Sequence, residues 1–235
     1  MKHLDDIAVI VQARLESERV PNKMIRPFAG TTLLDIAVTK MTTSTVLGAE
    51  QLYLAVHEPE LLAIGHRYGV NIFHRSLASA QAEGVPLTLL YEWWDKLPFK
   101  YAVLINACNP LLTIDTIDRF VLQYARNESD GLFGVMKKRN YTWHLDGTLA
   151  SESPGQGAAM DTKLVAPYYE AAHCLYAGRL DRIGQGIWMG DMDRPGDLSL
   201  FELDELEAFD IDYEWQFHVG EVLFNSSDKL PKRQE

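Results

Sequence analysis

The chain opens with an apolar run that changes abruptly into a polar loop. Residues 7–11 are β-branched or small and apolar without alternation, which is typical of a strand buried on both faces of a parallel sheet. Polar residues begin at Gln12, and Pro21 stops a helix from continuing. The sequence therefore predicts a loop at the carboxyl end of an inner strand, the edge at which open α/β sheets bind ligands.

Strand and helix patterns alternate along most of the chain. Apolar runs predict further strands at residues 51–56, 70–74, 101–105, 131–136 and 167–177. Apolar residues at helical spacing predict helices at residues 32–41, 60–68, 87–97, 113–125, 179–183 and 213–224. Thr32 and Thr113 are expected N-caps, Gly69 is an expected C-terminal cap, and residues 190–200 are expected to form a loop. The initial β-α-β-α-β order predicts a doubly wound α/β sheet with helices on both faces.

Length and composition indicate one globular domain. A chain of 235 residues with 47% hydrophobic and 23% charged residues can bury a sizeable core. We expect a single domain over residues 1–225, a candidate lid or insertion at 140–165, and a frayed tail at 226–235. No apolar run approaches the ~20 residues that span a bilayer, and residues 1–6 lack the apolar stretch of a signal peptide, so cytoplasm is the expected location.

Charge and cysteine content argue against several classes of partner. The formal net charge of −11 is unsuited to nucleic-acid binding, which needs a basic stripe. A small anionic ligand can still be held by a few local cations, usually with a divalent metal between its charge and the protein's carboxylates. Cys108 and Cys174 lie far apart without a C-x-x-C spacing, so neither a zinc site nor a disulfide framework is indicated.

The loop after the first strand carries cations suited to phosphate oxygens. Arg14, Arg19 and Lys23 can form charge-assisted hydrogen bonds with phosphate, although charged loop residues are as often simply solvated. Their spacing, A-R-x-x-S-x-R-x-P-x-K, resembles the opening motif of the cytidylyltransferases that make CMP-sialic acid and CMP-KDO. The glycines of a dinucleotide fingerprint or a Walker loop are missing from this stretch of sequence.

Two aspartates near the other end of the chain can form a metal site. In an extended segment residues two apart point to the same face, so Asp210 and Asp212 can converge on one Mg²⁺ while Ile211 faces the core. A lone D-x-D is commonly surface charge, but the resembled family ends its sheet with Asp-Ile-Asp followed by an acidic amphipathic helix. One α/β sheet can bring this pair and the first loop together at its carboxyl edge.

The resemblance covers most of the chain by element order and implies both a fold and an activity. The implied fold is Rossmann-like and similar to GT-A nucleotidyltransferases, with a mixed, mostly parallel sheet. The implied activity joins CTP to a small anionic acceptor, with a 3-deoxy-2-keto sugar acid as the first guess, and releases pyrophosphate with Mg²⁺ as cofactor. The family also implies a homodimer, for which the aromatic segment around Trp93 and Trp94 is one candidate surface.

Family position also assigns individual site residues. The expected nucleotide-binding residues are Gln12, Ala13, Arg14, Ser17, Lys23, Arg75 and Asn106. The expected catalytic residues are Arg14, Lys23 and Asp212, and the expected metal ligands are Asp210 and Asp212. The candidate acceptor contacts are Lys137, Lys138, Arg139, Tyr169 and His173. For His173, a core histidine with one satisfied nitrogen is the alternative interpretation.

Departures from the family pattern leave other functions open. Glu16 and Glu18 stand where the family favours Gly or Asn and Lys, and they would put two carboxylates beside a triphosphate. Leu112 replaces a common Arg. Two alternatives therefore stay in view: a nucleotidyltransferase with another donor or acceptor, such as a sugar-1-phosphate or a phosphonate, and a degenerate, non-catalytic nucleotide-binding subunit.

Overall fold

The computed structural model describes residues 1–81, 84–153, 155 and 157–227. Of the predicted tail at 226–235, Ser226 belongs to the last helix instead, and residues 228–235 lie outside the described residues. The strands are β1 Ile7–Gln12, β2 Leu52–Val56, β3 Asn71–His74, β4 Tyr101–Ile105, β5 Gly131–Lys138, β6 Tyr168–Arg179 and β7 Leu198–Leu203. The helices are α1 Leu33–Thr43, α2 Pro59–Tyr68, α3 Leu77–Ala80, α4 Leu87–Leu90, α5 Ile114–Arg126, α6 Leu180–Ile183 and α7 Glu214–Ser226.

The strands form one mixed sheet in the order β3-β2-β1-β4-β6-β5-β7. β1 pairs in parallel with β2 and β4, β2 with β3, and β5 with β7. β6 runs antiparallel to β4 and β5. The predicted mixed, mostly parallel sheet is therefore confirmed. Because β1 and β4 are neighbours in the middle of the sheet, the loops that follow them open onto the same edge.

The side chains of β1 divide the core into two layers. Odd-numbered residues of β1 face a cluster that includes buried side chains of α1, α2 and α5. Even-numbered residues face a second cluster that contains Trp93 and Trp188. Every residue from 7 to 11 is fully buried, so β1 is buried on both faces as its sequence predicted.

Trp93 belongs to this second cluster and is fully buried. Its ring packs edge-on against Trp188 at 5.9 Å between centroids, and the ring of Tyr91 lies 5.2 Å away. Trp93 is therefore a core residue. The use of Trp93 as part of a dimer surface is wrong, because its side chain is not accessible.

Local capping contacts fix the ends of three helices as predicted. The Thr32 side chain accepts the Asp35 N–H at 3.1 Å at the start of α1. The Thr113 side chain accepts the Thr116 N–H at 3.3 Å at the start of α5. Gly69 ends α2 with a φ of +67°, a left-handed conformation that glycine adopts without strain.

Two predicted elements differ from the structure. The helix expected over 87–97 ends at Leu90, and the chain continues as turns. These turns place Trp93 in the core, where its Nε1–H donates to Gln12. The loop expected over 190–200 gives way at Leu198 to β7, which pairs with β5 from Gly131 onward. A short edge strand of this kind depends on its partner strand more than on its own pattern.

None of the described helices is long and apolar enough to cross a membrane.

Candidate functional site

A cleft of about 980 Å³ opens at the carboxyl ends of β1 and β4. The loop after β1 forms one wall, and the segment after β4 forms another. The lining residues are Gln12, Ala13, Arg14, Leu15, Glu16, Ser17, Glu18, Arg19, Pro21, Asn22, Lys23, Met24, Arg75, Gln81, Leu90, Asn106, Ala107, Cys108 and Asp212. All seven of the predicted nucleotide-binding residues therefore line one concave site.

Turns in the first loop present three cations to one neighbouring segment. The N–H groups of Ile25 and Arg26 both bond the Asn22 carbonyl at 3.0 Å, and Asn22 itself has a φ of +56°, which asparagine tolerates better than most residues. This winding directs Arg19, Lys23 and Arg26 towards residues 211–214. We call these three residues the cation row.

The cation row binds the Asp-Ile-Asp segment directly. Lys23 Nζ donates to the Ile211 carbonyl at 2.6 Å and lies 3.6 Å from Asp212 Oδ1. Arg19 Nη2 donates to the same Asp212 oxygen at 2.8 Å. Arg26 forms a two-pronged ion pair with Glu214. Residues 188 to 193 positions apart are thus joined at the edge of the sheet, as the sequence predicted.

Asp210 and Asp212 flank a residue that faces the core, as their spacing predicted. Ile211 is fully buried, and its N–H bonds the Cys108 carbonyl at 3.0 Å, which fixes the extended segment beside the loop after β4. Asp210 Oδ1 is buried and has no hydrogen-bond partner. Burial, together with the nearby charge of Asp212, raises the pKa of Asp210.

This donor set fits Mg²⁺. A buried carboxylate oxygen without a partner is costly unless a cation or proton satisfies it, and Mg²⁺ takes one or two carboxylates with phosphate oxygens and water completing its shell. Among the described residues no group of three or more His, Cys, Asp or Glu side chains forms a closed metal cage. The arrangement therefore suits a metal that is shared with a ligand rather than a structural metal.

Arg75 supports the first loop through hydrogen bonds. It is 4% exposed, and its guanidinium donates to the Ala13 carbonyl at 3.2 Å and to Ser79 Oγ at 3.1 Å. Burial lowers the pKa of Arg75 to about 10, and the nearby carboxylates of Glu58 and Glu92 oppose that shift. Arg75 lines the cleft, but these two donor groups already bind the protein, and its expected nucleotide contact stays a prediction.

Glu58 holds the same loop from the other side. Its Oε1 accepts the Leu15 N–H at 2.7 Å, whereas its Oε2 is buried without a partner. Arg14, the residue before Leu15, also has a buried guanidinium nitrogen, Nη1, without a partner. Sequence analysis missed Glu58, because nothing in its local pattern shows that it contacts a loop 43 residues earlier.

Gln12 and Ser17 contact the protein within the cleft wall. Gln12 Oε1 accepts the Trp93 Nε1–H at 2.8 Å, and its Nε2 donates to the Leu90 carbonyl at 3.2 Å. Ser17 Oγ accepts the Val20 N–H at 3.4 Å, a long contact that supports the turn. Glu16 and Glu18, the residues that depart from the family pattern, are exposed, so water screens their charge.

A bulge in β6 shapes the wall after β4. Val135 pairs with Ala171 while Phe133 pairs with Tyr176, so Gly134 of β5 faces several residues of β6. His173 lies in this bulge with a φ of +52°, and its carbonyl accepts the Asn106 Nδ2–H at 2.8 Å. Asn106 is thereby fixed at the cleft by backbone partners.

A buried lysine, which the sequence analysis did not identify, supports the same wall. Lys40 of α1 is 2% exposed and donates to the carbonyls of Asn109 and Pro110 at 3.0 and 2.7 Å. Burial lowers the pKa of Lys40 to about 7, against the smaller opposing effects of Cys174 and Glu207. A signal was present, since Lys40 follows Ala37 by three residues on the buried stripe of α1.

The candidate acceptor residues lie on β5 and β6 or, for Arg139, directly after β5, and none of them belongs to the set that lines the cleft. Lys137 and Tyr169 are exposed register partners, and Tyr169 Oη is 3.3 Å from a Glu202 carboxylate oxygen. Arg139 donates to the Val165 carbonyl at 2.8 Å, and Lys138 pairs with the Glu205 carboxylate.

Of the acceptor candidates, His173 contacts a residue of the cleft, because its backbone carbonyl accepts the Asn106 Nδ2–H. The acceptor roles of all these residues stay predictions.

The segment predicted as a lid begins with a hairpin. Trp143 bridges Leu149 across a turn at Gly147, where φ is +85°. Within 140–165, residues 154 and 156 lie outside the described residues. Its function as a lid stays a prediction.

The sequence of this chain is similar to those of known proteins. The sequence model of a family described as "Cytidylyltransferase" matches residues 8–168. A curated relative, "Post-translational flagellin modification protein B" of Campylobacter coli, is 24% identical over 241 residues, covering 97% of this chain and 99% of the relative.

Two solved structures share the fold at low sequence identity. A CMP:2-keto-3-deoxy-manno-octonic acid synthetase complexed with CTP has a TM-score of 0.66 and 12% identity, covering 94% of this chain and 98% of its own. A 4-diphosphocytidyl-2C-methyl-D-erythritol synthase from Anaerococcus prevotii has a TM-score of 0.66 and 11% identity, covering 93% and 96%.

Proposed function

Because this chain belongs to the cytidylyltransferase family, we propose that it transfers CMP from CTP to a 3-deoxy-2-keto sugar acid and releases pyrophosphate. It is a nucleotidyltransferase enzyme; the nucleotide, the acceptor and the metal are the parts proposed here. The observation that carries the proposal is that Arg14, Lys23 and Asp212 line one cleft, with Asp210 near enough to Asp212 for that charge to raise its pKa. These residues supply the cations that a triphosphate needs and the carboxylates that a divalent metal needs.

The proposed reaction is a displacement at the α-phosphorus of CTP. An acceptor hydroxyl oxygen forms the new bond to phosphorus, the bond to the bridging oxygen of pyrophosphate breaks, and the hydroxyl proton passes to solvent. Lys23 and Arg14 would neutralise the charge on the triphosphate and the departing pyrophosphate. Lys23 is suited to this because its side chain is only 12% exposed and is fixed by the Ile211 carbonyl.

Asp210 and Asp212 would hold Mg²⁺, which when bound neutralises phosphate charge. The partnerless Oδ1 of Asp210 supports this assignment, since a metal would satisfy an atom that the protein leaves unpaired. The protein itself contributes positioning: Arg75 and Glu58 fix the loop that carries Arg14, and Lys40 fixes the loop that carries Asn106.

Two observations favour a sugar acid as the acceptor. The curated relative is named for flagellin modification, and one structural neighbour is named as a synthetase for an activated 2-keto-3-deoxy sugar acid. In this chain, the exposed Lys137 and Arg139 could receive the acceptor's carboxylate, with Tyr169 and His173 beside the sugar. A homodimer, as in the resembled family, is part of the same proposal.

Pyrophosphate release tests this function. Each of the four nucleoside triphosphates is combined with Mg²⁺ and a panel of acceptors that includes 3-deoxy-2-keto sugar acids, sugar-1-phosphates and phosphonates. We expect release only with CTP and a sugar acid. Lys23→Met should lower the rate by about 10²-fold or more, because it removes a fixed charge from the reacting phosphates. The matched control is Arg119→Gln, which changes an exposed cation on α5 and should leave the rate unchanged.

The other outcomes identify the alternatives. Release with a different triphosphate or acceptor class would mean a nucleotidyltransferase with another donor or acceptor. Binding of a triphosphate without pyrophosphate release from any acceptor would support the non-catalytic subunit. Equilibrium sedimentation at micromolar concentration tests the homodimer separately, and a monomer there would refute it.

A further inference from the structure

Asp212 is paired with cations of the first loop. Arg19 Nη2 lies 2.8 Å from Asp212 Oδ1, and the Arg19 guanidinium also lies over the Tyr213 ring, 5.1 Å from its centroid. The same Asp212 oxygen is 3.6 Å from Lys23 Nζ. An oxygen that would ligate Mg²⁺ is therefore already paired with two positive side chains.

The three side chains of the cation row differ in how firmly their contacts hold them in place. The Lys23 side chain is 12% exposed and bonds the Ile211 carbonyl at 2.6 Å as well. Arg26 makes a two-pronged ion pair with Glu214 and lies over the Phe217 ring, 4.3 Å from its centroid. The Arg19 side chain is 53% exposed and reaches Asp212 by one nitrogen. Exposed single-point ion pairs are weak, so Arg19 is the partner that a metal can displace.

Arg19 also lines the cleft in which the triphosphate would lie. A guanidinium binds carboxylate and phosphate oxygens by the same planar fork, so an arginine released from a carboxylate beside a polyphosphate has a second partner of equivalent chemistry. Lys23 stays fixed to Ile211 during such an exchange, and the Asp-Ile-Asp segment keeps its anchor.

We propose that Arg19 occupies the metal-binding oxygen of Asp212 in the free protein and moves to the polyphosphate chain when a divalent metal and a triphosphate bind. Arg19 is then a positioning residue with two opposite effects: it competes with the metal alone and assists the metal–triphosphate complex. This inference rests on the proposed function, because it takes Asp212 as a metal ligand.

The first test measures metal binding without nucleotide. Mn²⁺ serves as the probe, and its free concentration is followed by electron paramagnetic resonance with wild type, Arg19→Gln, Arg26→Gln and Asp212→Asn. Arg19→Gln should tighten Mn²⁺ binding about two- to fivefold, the factor expected when a weak competing ion pair is removed. Arg26→Gln removes the same charge from the loop, but Arg26 pairs with Glu214 rather than Asp212. This control variant should therefore change the Mn²⁺ affinity less than about twofold.

The second test measures triphosphate binding with saturating Mg²⁺. Isothermal titration with CTP, and with inorganic tripolyphosphate as a probe that needs no base recognition, should show binding about tenfold weaker for Arg19→Gln than for wild type. Exchange therefore predicts that Arg19→Gln binds Mn²⁺ more tightly in the first test and the triphosphate more weakly in the second. A residue that merely holds the loop in place would weaken both kinds of binding, or neither.

Several results would overturn this inference. The first is a Mn²⁺ affinity of Arg19→Gln that is equal to or weaker than that of the wild type. The second is a tightening of Mn²⁺ binding in Arg26→Gln as large as that in Arg19→Gln. The third is Mn²⁺ binding to wild type and Arg19→Gln that does not depend on Asp212. Neither test uses an acceptor or product formation, so failure of the exchange is distinct from failure of the proposed function. If CTP is the wrong nucleotide, the Mn²⁺ and tripolyphosphate results still decide whether Arg19 exchanges.

Discussion

Lys40→Met should change how the stability of the protein depends on pH. Lys40 is 2% exposed, and burial lowers its pKa to about 7 from its ordinary value of 10.5. The unfolded chain therefore retains this proton up to about pH 10.5, whereas the folded protein releases it near pH 7. Between these values the unfolded state binds more protons, so the free energy of unfolding rises with pH, by at most about 1.4 kcal/mol per pH unit.

The size of the effect follows from this linkage. From pH 7 to pH 9 the Lys40 contribution should increase the stability of the wild type by about 2 kcal/mol, and Lys40→Met should lack this increase. At pH 9 the neutral amine still donates to the carbonyls of Asn109 and Pro110. The variant leaves both carbonyls unpaired, so we expect it to be less stable there by about 2–5 kcal/mol.

Urea unfolding of both proteins at pH 7, 8 and 9 measures this difference. Cys108 and Cys174 titrate in the opposite sense, because burial raises the pKa of these thiols to about 11 and about 12. Both proteins retain these thiols, so their effect cancels when the variant is subtracted from the wild type. A difference between the two proteins that stays constant over this pH range would refute the reasoning about Lys40.

Three other substitutions test the supports of the cleft. Glu58→Ala should speed hydrogen exchange at the Leu15 amide and weaken CTP binding about tenfold, because the amide loses its acceptor. Glu58→Gln keeps an acceptor oxygen and should still protect the amide. Equal exchange in both variants would contradict the contact. Arg75→Met should lower stability by about 2–4 kcal/mol in denaturant unfolding, because it leaves the Ala13 carbonyl without its donor; a loss below about 0.5 kcal/mol would contradict the bracing role. Gly131→Ala would place a Cβ 1.6 Å from the Met189 carbonyl oxygen, so it should lower the melting temperature by several degrees, and an unchanged midpoint would show that the contact relaxes freely.

The predictable part of the fold lies in patterns that are local and periodic. The continuous apolar run of β1 and the amphipathic stripe of α5 identified both elements, and the caps at Thr32, Thr113 and Gly69 marked their helix ends within a residue or two. The edge strand β7 was missed because its pairing with β5 comes from tertiary context.

The predictable part of the site is the part whose spacing has a direct geometric meaning. In an extended segment the residue between two aspartates faces away from both, so the sequence predicted that Ile211 faces the core, and Ile211 is fully buried. The convergence of Asp210 and Asp212 on one metal stays a prediction. The cation row was only partly seen. Its loop carried a recognisable motif, but the pairing of Arg26 with Glu214 joins residues 188 positions apart and has no local signal.

Buried charges account for most of what the sequence did not reveal. Lys40 and Glu58 support the cleft through backbone carbonyl and amide groups, and such contacts depend on which loops the sheet brings together. A charged residue on an otherwise apolar helix stripe, as at position 40, is a useful signal for such supports. It indicates burial, although it does not identify the partner.

Thermal stabilisation by nucleoside triphosphates tests the central claim most directly, namely that the first loop and the Asp-Ile-Asp segment form one metal-dependent nucleotide site. Wild type and Asp212→Ala are melted with each of the four triphosphates, with and without Mg²⁺. At a hundred times its dissociation constant a ligand adds about 2.7 kcal/mol, which is easily seen as a shifted midpoint. We predict that CTP with Mg²⁺ stabilises the wild type and that Asp212→Ala loses the metal-dependent part. Equal stabilisation of both proteins, or none by any triphosphate, would contradict the account.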